Sequence, residues 1–108
     1  MTGTTAADAI RAAFDAGASI VGANCGTDLS LGSYLELARQ IVAAADERPT
    51  ILQPNAGAPK MIEGEIRYDA TPADMVDLAC KLRSIGISII GGCCGTTHEH
   101  LVAAIASA

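Results

Sequence analysis

Short apolar runs and amphipathic stretches take turns along the whole of this 108-residue chain, and that alternation limits its fold more than any other feature. Behind Thr5 and Asp8, spaced as a capping box, Ala6, Ile10, Ala13 and Phe14 recur at three- and four-residue intervals, which predicts a helix over residues 5–16 that stops at Gly17. Residues 19–23 are mostly apolar and small, the pattern of a parallel strand covered on both faces, and they end at Asn24, Cys25 and Gly26. Leu31, Leu35, Ala38, Ile41, Val42 and Ala45 mark a second helix over residues 30–45, stopped by Arg48 and Pro49. Thr50–Gln53 reads as the second strand.

Residues 54–71 break the rhythm. Gly57, Pro59 and Gly64 interrupt them, and Lys60, Glu63, Glu65 and Arg67 expose them, so they read as a loop of functional length with a short extended piece at 65–68. Thr71 as cap, Pro72 at the first helical position and Asp74 in the first turn then open a helix to about Ser84. After Gly86 come a third strand at 87–90 and a compact loop at 91–95. Thr96 and Glu99 are spaced as another capping box, opening a last helix through Leu101, Val102, Ile105 and Ala106.

The order is αβαβαβα, and successive parallel strands need crossovers rather than hairpins, so the class is α/β. Periodicity alone leaves three architectures open: a small three-layer sheet, a doubly wound domain and a segment of a barrel. The length suffices for one core but falls well short of the roughly 250 residues of a closed eight-stranded α/β barrel.

Composition removes several functional classes. Half the residues are apolar and 18% are charged, which is incompatible with a disordered tail, and no uncharged run approaches the ~18 residues of a membrane span. Seven basic against twelve acidic residues give a net charge of -5, and the basic side chains are scattered, so a nucleic-acid partner is disfavoured. The first residues lack a basic start and an apolar run, so no signal peptide is expected and the cytoplasm is the expected compartment.

The chemistry gathers on cysteines. Cys25 follows the first strand, and Cys93 with Cys94 follows the third, so a parallel arrangement brings all three to one end of the sheet. Three thiolates suit zinc and leave a fourth position for water or a substrate thiol. Gly91 and Gly92 permit close backbone approach, and the start of the last helix directs its free N–H groups at the same rim. A single strand-end cysteine is most simply a small buried hydrophobe, but a converging triplet favours a metal. Cys80, beside Ala79 in a helix, reads as a packed apolar residue. His98 and His100, two apart, do not share a helix face and read as surface or capping residues. Asn55 ends the second strand: its amide either reaches the rim or bonds its own turn, and the residues leave both readings open. Tyr68 and Asp28 are further rim candidates.

Gly22-Ala23-Asn24-Cys25-Gly26, Pro54-Asn55-Ala56-Gly57 and Gly91-Gly92-Cys93-Cys94-Gly95-Thr96-Thr97 closely resemble the zinc-binding strand ends of the homocysteine S-methyltransferase family. The resemblance covers nearly the whole chain. It implies the last three strands of a (β/α)8 barrel, one partial-barrel zinc-binding domain over residues 1–108, with Cys25, Cys93 and Cys94 as catalytic zinc ligands. It also implies Asn24 and Asn55 as substrate-binding residues, Asn55 doubling as an exchangeable fourth ligand. The implied reaction is zinc-dependent methyl transfer to the thiol of homocysteine or a similar small thiol, from a betaine, a sulfonium or a corrinoid protein.

No stretch here corresponds to the family's amino-terminal barrel half. A companion chain carrying the missing strands, or a homo-oligomer, is therefore expected to cover the barrel-facing side chains, taken as Ile20, Gly22, Leu52 and Ile87 or their in-register neighbours. Two other readings compete: a non-catalytic zinc-binding accessory subunit or degenerate fragment, and a redox dithiol at Cys93-Cys94, weakened by the missing two-residue spacer.

Overall fold

A computed structural model of the chain describes residues 5–25, 31–57 and 59–106. The elements are α1 (Ala6–Asp15), β1 (Val21–Asn24), α2 (Leu31–Ala45), β2 (Thr50–Gln53), β3 (Pro59–Ile62), β4 (Glu65–Tyr68), α3 (Pro72–Ile85), β5 (Ile89–Ile90) and α4 (His98–Ala106). Strands β1, β2 and β5 form a parallel sheet in that order, with Gly22 opposite Ile51 and Leu52 opposite Ile90. The α/β class and the parallel sheet expected from the alternation are both present.

Each new parallel strand is added on the same side of the last. With crossovers of one hand, that order brings the connecting helices to one face of the sheet. The core has this form: Ile10 and Phe14 of α1, Tyr34, Ala38 and Ile41 of α2, and Met75, Leu78 and Leu82 of α3 cluster on Leu52, with Val21, Ala23 and Ile90 packed against them. Side chains that alternate with these point the other way, and Ile20 and Ile89 are 47% and 42% exposed. Among the described residues the helices gather on one face rather than on both, unlike a doubly wound sheet. Leu52 and Ile87, expected on the barrel-facing side, are instead 0% and 3% exposed beneath the helices. The register explains Leu52: it pairs with Ala23 and Ile90, not with Gly22.

Gly22 has a specific steric reason. A β-carbon there would run into the Ile51 carbonyl of the neighbouring strand. The third parallel strand is shorter than expected because Ser88 substitutes its side chain for main chain: the Thr50 N–H donates to Ser88 Oγ at 3.2 Å, while the Ser88 N–H donates to the Thr50 carbonyl at 3.1 Å.

The expected loop at 54–71 contains a hairpin, β3 with β4, paired antiparallel from Pro59–Tyr68 to Ile62–Glu65. Its two-residue turn, Glu63-Gly64, has φ of 49° and 82°, and positive φ at both positions is what a tight turn matched to strand twist requires. Glutamate at the first position, rather than asparagine or aspartate, disguises the signal.

Helix starts follow local capping. The Asp8 N–H donates to Thr5 Oγ1, and at α3 the box is reciprocal: the Asp74 N–H donates to Thr71 Oγ1 and the Thr71 N–H to Asp74 Oδ2. At α4 the box lies one residue beyond the expected Thr96 and Glu99. There the Thr97 N–H donates to His100 Nδ1 at 3.1 Å and the His100 N–H to Thr97 Oγ1 at 3.4 Å, with imidazole in the usual place of a carboxylate. His100 Nε2 lies 2.7 Å from the Ala70 carbonyl, so the same ring ties α4 to the turn before α3. Cys80 is exposed rather than packed, since it shares the outer face of α3 with Asp77, Lys81 and Ser84. Among the described residues no helix is long and apolar enough to cross a membrane.

Urea denaturation should rank three substitutions by these contacts. Leu52→Ala opens a cavity under three helices and should cost about 2–5 kcal/mol, whereas Thr71→Ala should cost about 1 kcal/mol. His100→Ala leaves the buried end of the α4 cap without its partner and should fall between them, at about 1–3 kcal/mol.

Candidate metal centre

The parallel register carries the hydrogen-bond ladder past the ends of the strands and so builds the site. On one side of β2, the Cys25 N–H donates to the Gln53 carbonyl at 3.1 Å. On the other, the Gly91 N–H donates to the Leu52 carbonyl at 3.0 Å and the Cys93 N–H to the Pro54 carbonyl at 2.9 Å. The Ala56 N–H then reaches the Cys94 carbonyl at 2.9 Å, and the Cys94 N–H reaches Asn55 Oδ1 at 3.1 Å. Pro54, Asn55 and Ala56 are thus a track on which both adjacent cysteines sit.

Two backbone devices aim the side chains. Cys25 has φ of +53°, a left-handed conformation uncommon for a residue with a β-carbon, which ends β1 abruptly. Gly95, at φ +77°, follows the cysteine pair, and the Tyr68 ring occupies the space where its β-carbon would stand. A larger residue at 95 would displace both the ring and the turn.

The sulfurs of Cys25, Cys93 and Cys94 lie within 4.8 Å of one another and form a group that could hold a metal ion. Cys25 Sγ is 3.7 Å from Cys94 Sγ, and Cys93 Sγ is 3.9 Å from Cys94 Sγ. Sulfurs bound tetrahedrally at about 2.3 Å from a zinc ion stand roughly 3.8 Å apart, so these two separations fit that donor set. Cys25 and Cys93 themselves are joined in a disulfide, with Cα atoms 5.6 Å apart. Reduction by two electrons and two protons restores the thiols, from which thiolate ligands derive. Cys94 is exposed and the other two are half-buried, so one side of the cluster opens to solvent. The disulfide joins residues 68 apart rather than the neighbouring Cys93 and Cys94 of the dithiol reading.

Beneath the cluster lies Tyr34, a residue that the helical pattern alone did not mark. It is 0% exposed, and its hydroxyl donates to the Cys25 carbonyl at 2.5 Å while accepting the Asn55 N–H at 3.0 Å. Burial pushes its pKa above the ordinary phenol value, and the nearby Cys94 adds to this against the opposing effect of the Asn55 amide, so the hydroxyl is a proton donor near neutrality. The available signal was a tyrosine on the apolar stripe of α2, three residues after Leu31 and four before Ala38, since a buried phenol requires a polar partner.

The other site residues expected from sequence divide clearly. Asn55 is 6% exposed and uses its amide oxygen on the Cys94 backbone. Asn24 is exposed at the end of β1, opposite Gln53 in the register, next to Cys25. Tyr68 borders the site through Gly95, whereas Asp28 lies outside the described residues. His98 is exposed, and His100 serves the α4 cap.

A sequence model described as homocysteine S-methyltransferase matches residues 1–108. The methionine synthase of Mycobacterium leprae (strain TN) is 32% identical over 102 residues, which is 94% of this chain and 8% of that protein. The methionine synthase of Mycobacterium tuberculosis (strain ATCC 25618 / H37Rv) matches with the same identity and coverage, so the chain spans about 8% of the length of these curated relatives. By sequence over its full length, the chain belongs to the homocysteine S-methyltransferase family.

Proposed function

We propose that this chain is the thiolate-bearing part of a zinc-dependent S-methyltransferase that methylates homocysteine or a similar small thiol. The observation that carries this reading is the cluster of Cys25, Cys93 and Cys94 sulfurs at the carboxyl ends of parallel strands. Family membership supplies the acceptor chemistry. Zinc, when bound, supplies a cation that keeps a substrate thiol, of pKa about 8.5 when free, deprotonated near neutrality.

The chain's own residues prepare the site for that chemistry. Once the disulfide is reduced, Cys25, Cys93 and Cys94 are the ligands, and their open side admits the substrate sulfur. Asn24, exposed beside Cys25, is the nearer candidate for a polar end of the substrate. Asn55 acts first on Cys94, because its amide oxygen already accepts that residue's N–H; service as a fourth ligand requires this bond to be given up. In the transfer, the substrate sulfur forms a bond to the methyl carbon as the donor–carbon bond breaks, and the bonding pair leaves with the donor.

The architecture belongs to the same proposal. Parallel strands added consecutively, with helices on one face and Ile20 and Ile89 exposed, support a sector of a (β/α)8 barrel whose remaining strands come from a companion chain, another part of a longer chain, or a second copy. The relatives are methionine synthases, in keeping with homocysteine as the acceptor, and the methyl donor is a betaine, a sulfonium or a corrinoid protein. The cytoplasm is the proposed compartment.

The fully reduced protein should bind one zinc ion per site, read by elemental analysis and chelator competition. Cys25→Ser, Cys93→Ser or Cys94→Ser should weaken binding by more than the roughly 10- to 100-fold that follows loss of an outer partner. Absence of metal from the reduced protein would remove the reading. Zinc binding without methyl transfer from methylcorrinoid, betaine and sulfonium donors, in the assembly holding the remaining barrel strands, would leave the accessory-subunit reading in its place.

A further inference from the structure

We propose that Tyr34 is a positioning residue of the three-cysteine site, its hydroxyl holding Cys25 in its left-handed turn and coupling that turn to the segment on which Cys93 and Cys94 sit. Only the metal readout below rests on the zinc reading of the site.

The phenol is fully buried, yet both of its hydrogen bonds leave α2 for strand ends. One takes up the Cys25 carbonyl and the other the Asn55 N–H, two main-chain groups on different strand ends. Asn55 passes the link on through its amide oxygen to the Cys94 N–H, while its neighbours Pro54 and Ala56 hold the Cys93 N–H and the Cys94 carbonyl. A single hydroxyl therefore connects the β1 terminus to the whole cysteine pair.

The link matters because Cys25 is not in a relaxed conformation. Its φ of +53° is a left-handed conformation that disfavours a residue with a β-carbon and so has to be held by its surroundings. The Cys25 N–H is held by Gln53 in the ladder, and Tyr34 holds the carbonyl side of the same residue. Tyr34 lies under the cluster rather than on its solvent side and so acts through the backbone.

Tyr34→Phe in the full chain tests the assignment with two readouts. The first is closure of the Cys25–Cys93 disulfide in glutathione buffers: both thiols are oxidised, one glutathione disulfide is reduced to two glutathiones, and the two protons pass to them. Loss of the hydroxyl should lower the closure constant about fivefold or more, the ratio that one net hydrogen bond carries. The second is metal binding by the reduced chain, where zinc affinity should fall about 10- to 100-fold and the sulfur-to-metal charge-transfer band of the cobalt-substituted protein should change.

Leu78→Ala, in the same core but outside this network, separates positioning from stability: it should lower the melting temperature and leave both readouts at wild-type values. If Tyr34→Phe does not fold, Asn55→Ala removes the far end of the link and should lower closure by a similar factor. Unchanged closure in the folded variant, or equal loss in Leu78→Ala, overturns the assignment. A wild-type chain that takes no metal, while Tyr34→Phe still weakens closure, sinks the zinc reading and leaves Tyr34 as the positioning residue.

Discussion

Strand β2 is hydrogen-bonded along both edges, and nearly everything distinctive about this molecule follows from that. Its ladder to β1 runs on into Cys25, and its ladder to β5 runs on into Cys93, so two remote segments arrive at the same height on either side of one strand. Antiparallel pairing would have sent one cysteine to the opposite end of the sheet. Parallel pairing gives all strands a common carboxyl edge, where backbone direction rather than side-chain affinity gathers the reactive groups.

The same geometry gives the site two mutually exclusive chemical states. Cys25 and Cys93 are close enough to share a disulfide, and each is needed as a thiolate if a metal is to be held. Cys94 stands outside the disulfide, yet its sulfur keeps separations of 3.7 and 3.9 Å from the other two. The bonds of the scaffold beneath run to peptide groups of the cysteines and not to their sulfurs, which leaves the sulfurs to take either partner.

Much of this was legible in the residue pattern, and the failures are informative. The central strand and the α3 start were readable because Thr71, Pro72 and Asp74 act locally, and the convergence of three cysteines followed from strand alternation alone. The last helix start slipped by one residue because Thr96 and Thr97 are equally plausible caps, and the deciding partner was the imidazole of His100. Cys80 was misplaced by composition, although two residues from both Leu78 and Leu82 is nearly the opposite side of a helix. Tyr34 and Ser88 were not readable in the same way: each spends its side chain on the backbone of a segment far away in sequence, a relation that no local spacing encodes.

The 68-residue span between Cys25 and Cys93 contains α2, β2, the hairpin, α3 and β5, so joining the two ends fastens the first parallel strand to the last like a clasp. Loop closure of that length is worth about 4 kcal/mol in chain-entropy terms, comparable to the whole stability of a small domain. A disulfide supplies it covalently, and a metal shared by the same cysteines would supply it by coordination. The chemistry at the rim and the persistence of the fold are consequently linked, and conditions that strip both fasteners loosen the two edge strands, β1 and β5, from each other.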